Sequence, residues 1–166
     1  LTGTPVVQGT NTLAFALIVP SGAQPAKGWP IAVMGHGNTE SRERMYNFAS
    51  ILATHGIATI AINVVGHGFG SLGTADVRLD GGGTVTIPAG GRGVDLDGNN
   101  VIDINEGLST FGPPFALITN RDAIQQTIAD LMQLVRVIQA GMDIDGDGQV
   151  DLDASRIFYL GSSLGG

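Results

Sequence analysis

Ile157-Phe158-Tyr159-Leu160-Gly161-Ser162-Ser163-Leu164-Gly165-Gly166 is an apolar run that breaks into Gly-x-Ser-x-Gly. The run reads as a buried strand, expected over Arg156–Leu160. The glycines on either side of Ser163 suit a tight strand-to-helix turn. They let the two backbones approach closely and leave the serine hydroxyl at the tip. In a chain with 26 Gly the bare pattern is weak. Its weight comes from what precedes it.

Working back towards the N-terminus, Thr12–Val19 and Pro30–Gly35 are continuous apolar strands, and Glu40–His55 has a helical spacing. Met45, Phe48, Ala49 and Leu52 share one face of that helix, with Gly56 as its stop. Ile57–Val64 is the next apolar strand. A strand, helix and strand in this order predict a crossover in a parallel sheet. Asn120–Ala140 is the strongest helix, with Ile124, Ile128, Leu131, Val135 and Ile138 in one stripe and Thr119 or Asn120 expected as its cap. Residues 66–118 interrupt the rhythm with Gly, Pro, Asn and Asp. Within them Val77–Leu79 and Thr84–Ile87 are expected to pair as a hairpin across Gly81-Gly82-Gly83. The fold class expected from this order is α/β.

A serine on such a turn is a candidate nucleophile, and the chemistry also needs N–H groups aimed at a developing oxyanion. Leu164, the residue after the serine, offers one. The loop Gly35-His36-Gly37-Asn38 ends the second strand and is expected to offer the other from Asn38, with Gly37 adjacent. His36, His67 in a second Gly-His-Gly, and His55 at a helix end are read as structural or cleft-lining residues.

Nine of the 15 acidic residues fall in two loops. Four are Asp95, Asp97, Asp103 and Glu106; five are Asp143, Asp145, Asp147, Asp151 and Asp153. Residues 95–106 match a calcium loop by position: Asp95, Asp97, Asn99, the Val101 carbonyl, Asp103 and Glu106. Asn100 replaces the usual Gly at the turn, and Asn tolerates the left-handed conformation required there. The second loop offers Asp143, Asp145, Asp147, the Gln149 carbonyl and Asp151. Ala154 stands where the bidentate acid is usual, so Asp153, water or another segment is expected to complete the shell. Metal-free Asx turns are the plainer alternative, but clustered carboxylates repel unless neutralised or well solvated. One or two structural Ca²⁺ ions are the expected cofactors.

The chain has 166 residues, 43% hydrophobic and 14% charged, which suits a globular domain with a core. A net charge of −7 argues against a nucleic-acid partner. The absence of Cys excludes disulfides and thiol catalysis. Leu1 is not an initiator Met, and the N-terminus is read as a mature or trimmed end.

Three segments, GWPIAVMGHGNTESR (28–42), NRDAIQQT (120–127) and YLGSSLGG (159–166), together resemble the N-terminal half of a bacterial secreted α/β-hydrolase of the lipase, esterase and polyester-hydrolase kind. The resemblance covers most of the chain outside 68–118. It implies one α/β-hydrolase domain's N-terminal part over 1–166: mostly parallel strands with covering helices, and a Gly/Asp-rich insertion at about 66–118. It also implies a secreted or cell-envelope location and a carboxylic ester substrate, whether lipid, small ester or polyester. In that family the acid and histidine of the triad follow the serine. A C-terminal fragment of the same hydrolase is therefore the expected partner, and the chain alone is expected to be inactive. The alternative of another class is a non-catalytic, calcium-stabilised extracellular binding module.

Overall fold

The computed structural model describes residues 6–103, 106 and 116–166. In chain order the elements are β1 (Phe15–Ile18), β2 (Trp29–Gly35), α1 (Tyr46–Thr54), β3 (Ala58–Ile62), β4 (Thr74–Arg78), β5 (Thr84–Pro88), α2 (Ala116–Ala140) and β6 (Leu152–Gly161). Four strands form one sheet in the order β1-β3-β2-β6, and β4 and β5 form a separate hairpin. β2 pairs in parallel with both β3 and β6, while β1 runs antiparallel to β3. The expected α/β class is thus realised as a mixed, mostly parallel sheet.

Apolar residues on both faces of β2 and β3 explain why these two strands lie at the centre, for only there can both faces be covered. Every residue of β3 is buried. On one face Ile31, Val33, Ile60, Ile62 and Leu152 pack with Leu134 and Ile138 of α2. On the other, Met34 and Ala61 pack with Met45, and Phe48 of α1 lies against them.

Several boundaries differ from the sequence reading for identifiable reasons. The helix expected from Glu40 begins instead as a 3₁₀ turn at Arg42–Met45 and becomes α-helical only at Tyr46. The Arg42 N–H, which has no acceptor within the turn, is capped by Asn63 Oδ1 at 2.8 Å and so fixes the start there. α2 begins four residues ahead of Asn120, so Thr119 and Asn120 lie inside it and neither caps it. A capping preference of about 1 kcal/mol does not stop a helix whose upstream residues also accept the helical state. The buried line of α2 runs through Ala123, Thr127, Leu134 and Ile138, while Ile128 is 52% exposed. The stripe is therefore wider than the face that meets the sheet. β6 starts at Leu152, ahead of Arg156, and its register against β2 slips between Trp29 and Ile31. Pro30 has no N–H for the ladder, so the slip falls where a bond is missing anyway.

Residues 66–103 depart from the C-terminal end of β3 and are tied back to it. Arg92 donates to the Asn63 carbonyl at 2.8 Å and to Asp130 Oδ2 of α2 at 2.7 Å. Its own backbone closes on the chain after β3: Arg92 N–H to His67 O at 2.8 Å, and Gly66 N–H to Arg92 O at 3.2 Å. The β4–β5 hairpin forms as expected, with Val77 opposite Val85 and Ala75 opposite Ile87 on one face. Among the described residues, no helix is long and apolar enough to cross a membrane.

Candidate active site

β6 delivers Ser163 to the C-terminal end of the sheet, where open α/β sheets place their sites. Ser162 N–H extends the ladder to Gly35 O at 3.0 Å. The chain then turns sharply, with Ser163 at φ 53 entering a short 3₁₀ turn, Ser163–Gly165. A non-glycine residue in this left-handed region costs about 1–2 kcal/mol, and such strain persists only where the surroundings impose it. Here they do. Any Cβ on Gly165 would fall on the Gly35 backbone, and any Cβ on Gly161 would fall on Gly165. The Tyr159 hydroxyl donates to Gly165 O across the same turn. The Ser163 side chain is left exposed.

The loop after β2 faces it. A Cβ on Gly37 would stand 3.2 Å from Ser163 Cβ and 2.9 Å from Glu40 Oε2, so serine and carboxylate flank one side of Gly37. The Gly37 N–H is not open to a substrate, because it donates to Glu40 Oε2 at 2.7 Å. Glu40 is held in turn by Arg44, 3.1 Å away. Among the described residues, no backbone acceptor takes the Asn38 N–H, and the bonds of the 3₁₀ turn start from Gly165 and Gly166, not Leu164. The Asn38 and Leu164 N–H groups thus take no backbone acceptor among the described residues, and Asn38 follows the Gly37 that meets Ser163.

Two of the three histidines have other partners, and the third lies elsewhere. His36 is buried; its Nε2 accepts the Val64 N–H at 3.0 Å, so the proton sits on Nδ1, 2.9 Å from Gly37 O. It ties the ends of β2 and β3 together. Burial first, and the neighbouring His67 to a lesser degree, lower its pKa from 6.5 against an opposing bond to Gly37 O. His67 is fully buried, with Nδ1 3.1 Å from Val65 O and Nε2 3.2 Å from Asn38 Oδ1. His55 follows α1 at the start of β3, the opposite end of the sheet. None of the three meets Ser163 as a base. Glu40 and His67 are the residues that the sequence reading undervalued. The repeated Gly-His-Gly was visible, but its bond to Asn38 spans 29 positions.

The two acidic loops adopt one hydrogen-bond scheme. Asp95 accepts from Gly98 and Asn100 N–H, and Asp143 accepts from Gly146 and Gly148 N–H. Asp97 accepts from Asn99 as Asp145 does from Asp147. Asn100 has φ 64 and Gly148 φ 87, so Asn meets the left-handed requirement as expected. One oxygen from each of Asp95, Asp97 and Glu106 falls within 4.8 Å of the others, and likewise for Asp143, Asp145 and Asp151. These all-oxygen clusters fit a hard divalent cation and could bind a metal such as calcium. Asp103 and Asp147 stand outside those carboxylate groupings, while Asn99, Val101 and Gln149 line the loops.

In the first loop the buried Glu106 receives Leu96 and Asp97 N–H; in the second the buried Asp151 receives Ile144 N–H at the corresponding place. Asp153, expected as a substitute ligand, turns away. It binds Ser155 and Arg156, whose hydrogen bonds hold its carboxyl down at about 2.

A cavity of about 720 Å³ opens between α2 and the sheet and reaches the turn, lined by Ile124, Ile128, Leu131, Tyr159, Leu164 and Gly166 among others. The surplus apolar width of α2 faces it.

Two outcomes follow from this geometry. Ser163→Gly relieves the left-handed strain and raises the unfolding free energy by about 1 kcal/mol in urea titrations. For His36, the folded pKa lies below 6.5, so the unfolded state takes up the proton first. Its stabilising contribution is complete above the unfolded pKa and is lost as pH falls through the lowered folded one. His36→Gln should show a smaller loss of stability than the parent as pH falls below 6.5.

No family model and no curated protein matches this chain. Among solved structures it is similar to an acetyl xylan esterase from Paenibacillus sp. R4, at 17% identity and a TM-score of 0.47. The match covers 90% of this chain, which spans only 36% of that one.

Proposed function

We propose that this chain carries the nucleophile and oxyanion loop of a carboxylic ester hydrolase. The observation that carries the reading is the exposed Ser163 at φ 53, facing Gly37 across the ends of two parallel strands. In this reading Ser163 Oγ attacks the acyl carbonyl, and the carbonyl oxygen becomes an oxyanion held by the Leu164 and Asn38 N–H groups. Collapse expels the alcohol and leaves an acyl-serine, which water then hydrolyses. The serine proton passes to a histidine paired with an Asp or Glu. His36, His55 and His67 are otherwise engaged or distant, so that pair comes from a C-terminal polypeptide of the same hydrolase. The apolar cavity beside the turn and the exposed Phe158, Tyr159 and Leu160 of β6 are where that polypeptide would pack. The substrate is an ester of lipid, small-molecule or polyester type, and the setting is secreted or at the cell envelope.

The second reading is a non-catalytic, calcium-stabilised binding module. The engagement of His36 and His67 and the distance of His55 from Ser163 favour it. A fluorophosphonate probe separates the two. Stoichiometric, Ser163-specific labelling of the assembled protein, abolished by Ser163→Ala, is the outcome expected of a hydrolase. An unlabelled Ser163 in the assembled protein would leave the binding module.

Within the same proposal, each acidic loop holds one Ca²⁺. Asp95, Asp97, Asn99, the Val101 carbonyl, Asp103 and Glu106 would hold the first. Asp143, Asp145, Asp147, the Gln149 carbonyl and Asp151 would hold the second. The ions neutralise clustered carboxylates, and their role is structural: one pins the insertion, the other joins α2 to β6. Calcium at about 100 times its dissociation constant adds about 2.7 kcal/mol per site. Chelation should therefore lower the melting temperature and calcium restore it, with Asp95→Asn and Asp143→Asn each removing part of the shift. A melting temperature indifferent to both would end the metal reading.

A further inference from the structure

We infer that His67 is a positioning residue for the oxyanion loop, acting through the side chain of Asn38; this rests on the hydrolase reading of Ser163. The loop needs such support. Thr39, β-branched, sits at φ 60, a conformation that its neighbours must impose. On one side the Gly37 N–H is fixed by Glu40, and Glu40 N–H returns to Gly37 O at 3.3 Å. On the other, the exposed Asn38 is anchored, among the described residues, by the imidazole of His67, 3.2 Å from its amide oxygen.

The His67 ring cannot drift. It is fully buried, its one N–H is placed on Nε2 towards Asn38 Oδ1, and its backbone carbonyl receives the Arg92 N–H. Arg92 is itself fastened to Asn63 and Asp130. The segment after β3 thus forms a rigid post, and the Asn38–His67 bond sets the Asn38 peptide against that post. Without the bond the Asn38 N–H remains in the chain, but the orientation that the oxyanion reading asks of it is no longer imposed. An oxyanion donor works only when it is aimed before the charge develops. Loss of aim should therefore lower kcat and leave KM alone.

The test uses the assembled enzyme, this chain together with the polypeptide that carries the triad histidine and acid, and a short-chain p-nitrophenyl ester. Asn38→Ala keeps the backbone donor, removes the side-chain anchor, and lies at an exposed position. It should lower kcat about ten-fold or more, with KM within about two-fold. His67→Leu should show the same loss, and the double variant no further loss, since both remove one bond. His67→Gln, which can still donate to the Asn38 amide, should recover most of kcat. Wild-type kcat in Asn38→Ala, or additive losses in the double variant, would overturn the inference while Ser163 labelling and hydrolysis stand. An unlabelled, inactive wild-type protein would instead remove the hydrolase reading, and this inference with it.

Discussion

Contact between two stretches of bare backbone organises this molecule. Gly165 lies directly on Gly35, with no space for a Cβ on either partner. That approach lets the end of β6 continue its pairing with the end of β2 through Ser162, and so forces the next residue, Ser163, into the left-handed turn. The same contact brings Gly37 beneath the serine. A side chain at 35 or 165 would separate the strand ends, release the strain and dissolve the juxtaposition of hydroxyl and loop N–H groups on which any acyl-transfer chemistry would depend.

The rest of the fold serves to hold those two strand ends in register. His36 ties β2 to β3 with both ring nitrogens committed, and Asn63 gathers Arg42, Gly90 and Arg92 at the end of β3. These are polar groups in buried or half-buried positions, most of them bonded to a partner from another segment, and such networks rigidify more than their individual bonds suggest. On the α2 side the packing is less complete. Ile128 is half exposed over an apolar cavity, and β6 presents Phe158, Tyr159 and Leu160. The apolar stripe of α2 is too wide for the contacts it makes here, which is the physical basis for proposing a further polypeptide on that face.

The acidic loops show how local chemistry can shape a segment without help from distant residues. Each opening Asp reaches forward to two N–H groups of its own loop, and each third-position Asp to the N–H two residues on. The scheme repeats because it depends only on short Asx spacings and a left-handed residue at one place. The loops differ at their ends. Glu106 closes the first from position 12, whereas the second is closed by Asp151 from position 9, since Ala154 has no oxygen to offer and Asp153 is drawn off by Arg156.

Much of this was legible from residue order. Strand and helix type follow from the period of apolar residues, the Ser163 turn from its glycines, and the loop shape from Asp and Asn spacing, because each depends on neighbours a few positions away. The starts of α1, α2 and β6 were not legible. The first is fixed by a remote partner, Asn63, which caps the Arg42 N–H. Nor could residue order reveal which side of α2 is covered, or that Glu40 closes off the Gly37 N–H while His67 holds Asn38. By itself, then, the sequence determined the elements, the candidate nucleophile and the oxygen-rich loops. Tertiary structure alone decided that Gly37 meets Ser163 with its N–H closed off and that His36 and His67 are committed elsewhere, because partnership between residues dozens of positions apart is set by where the strands end.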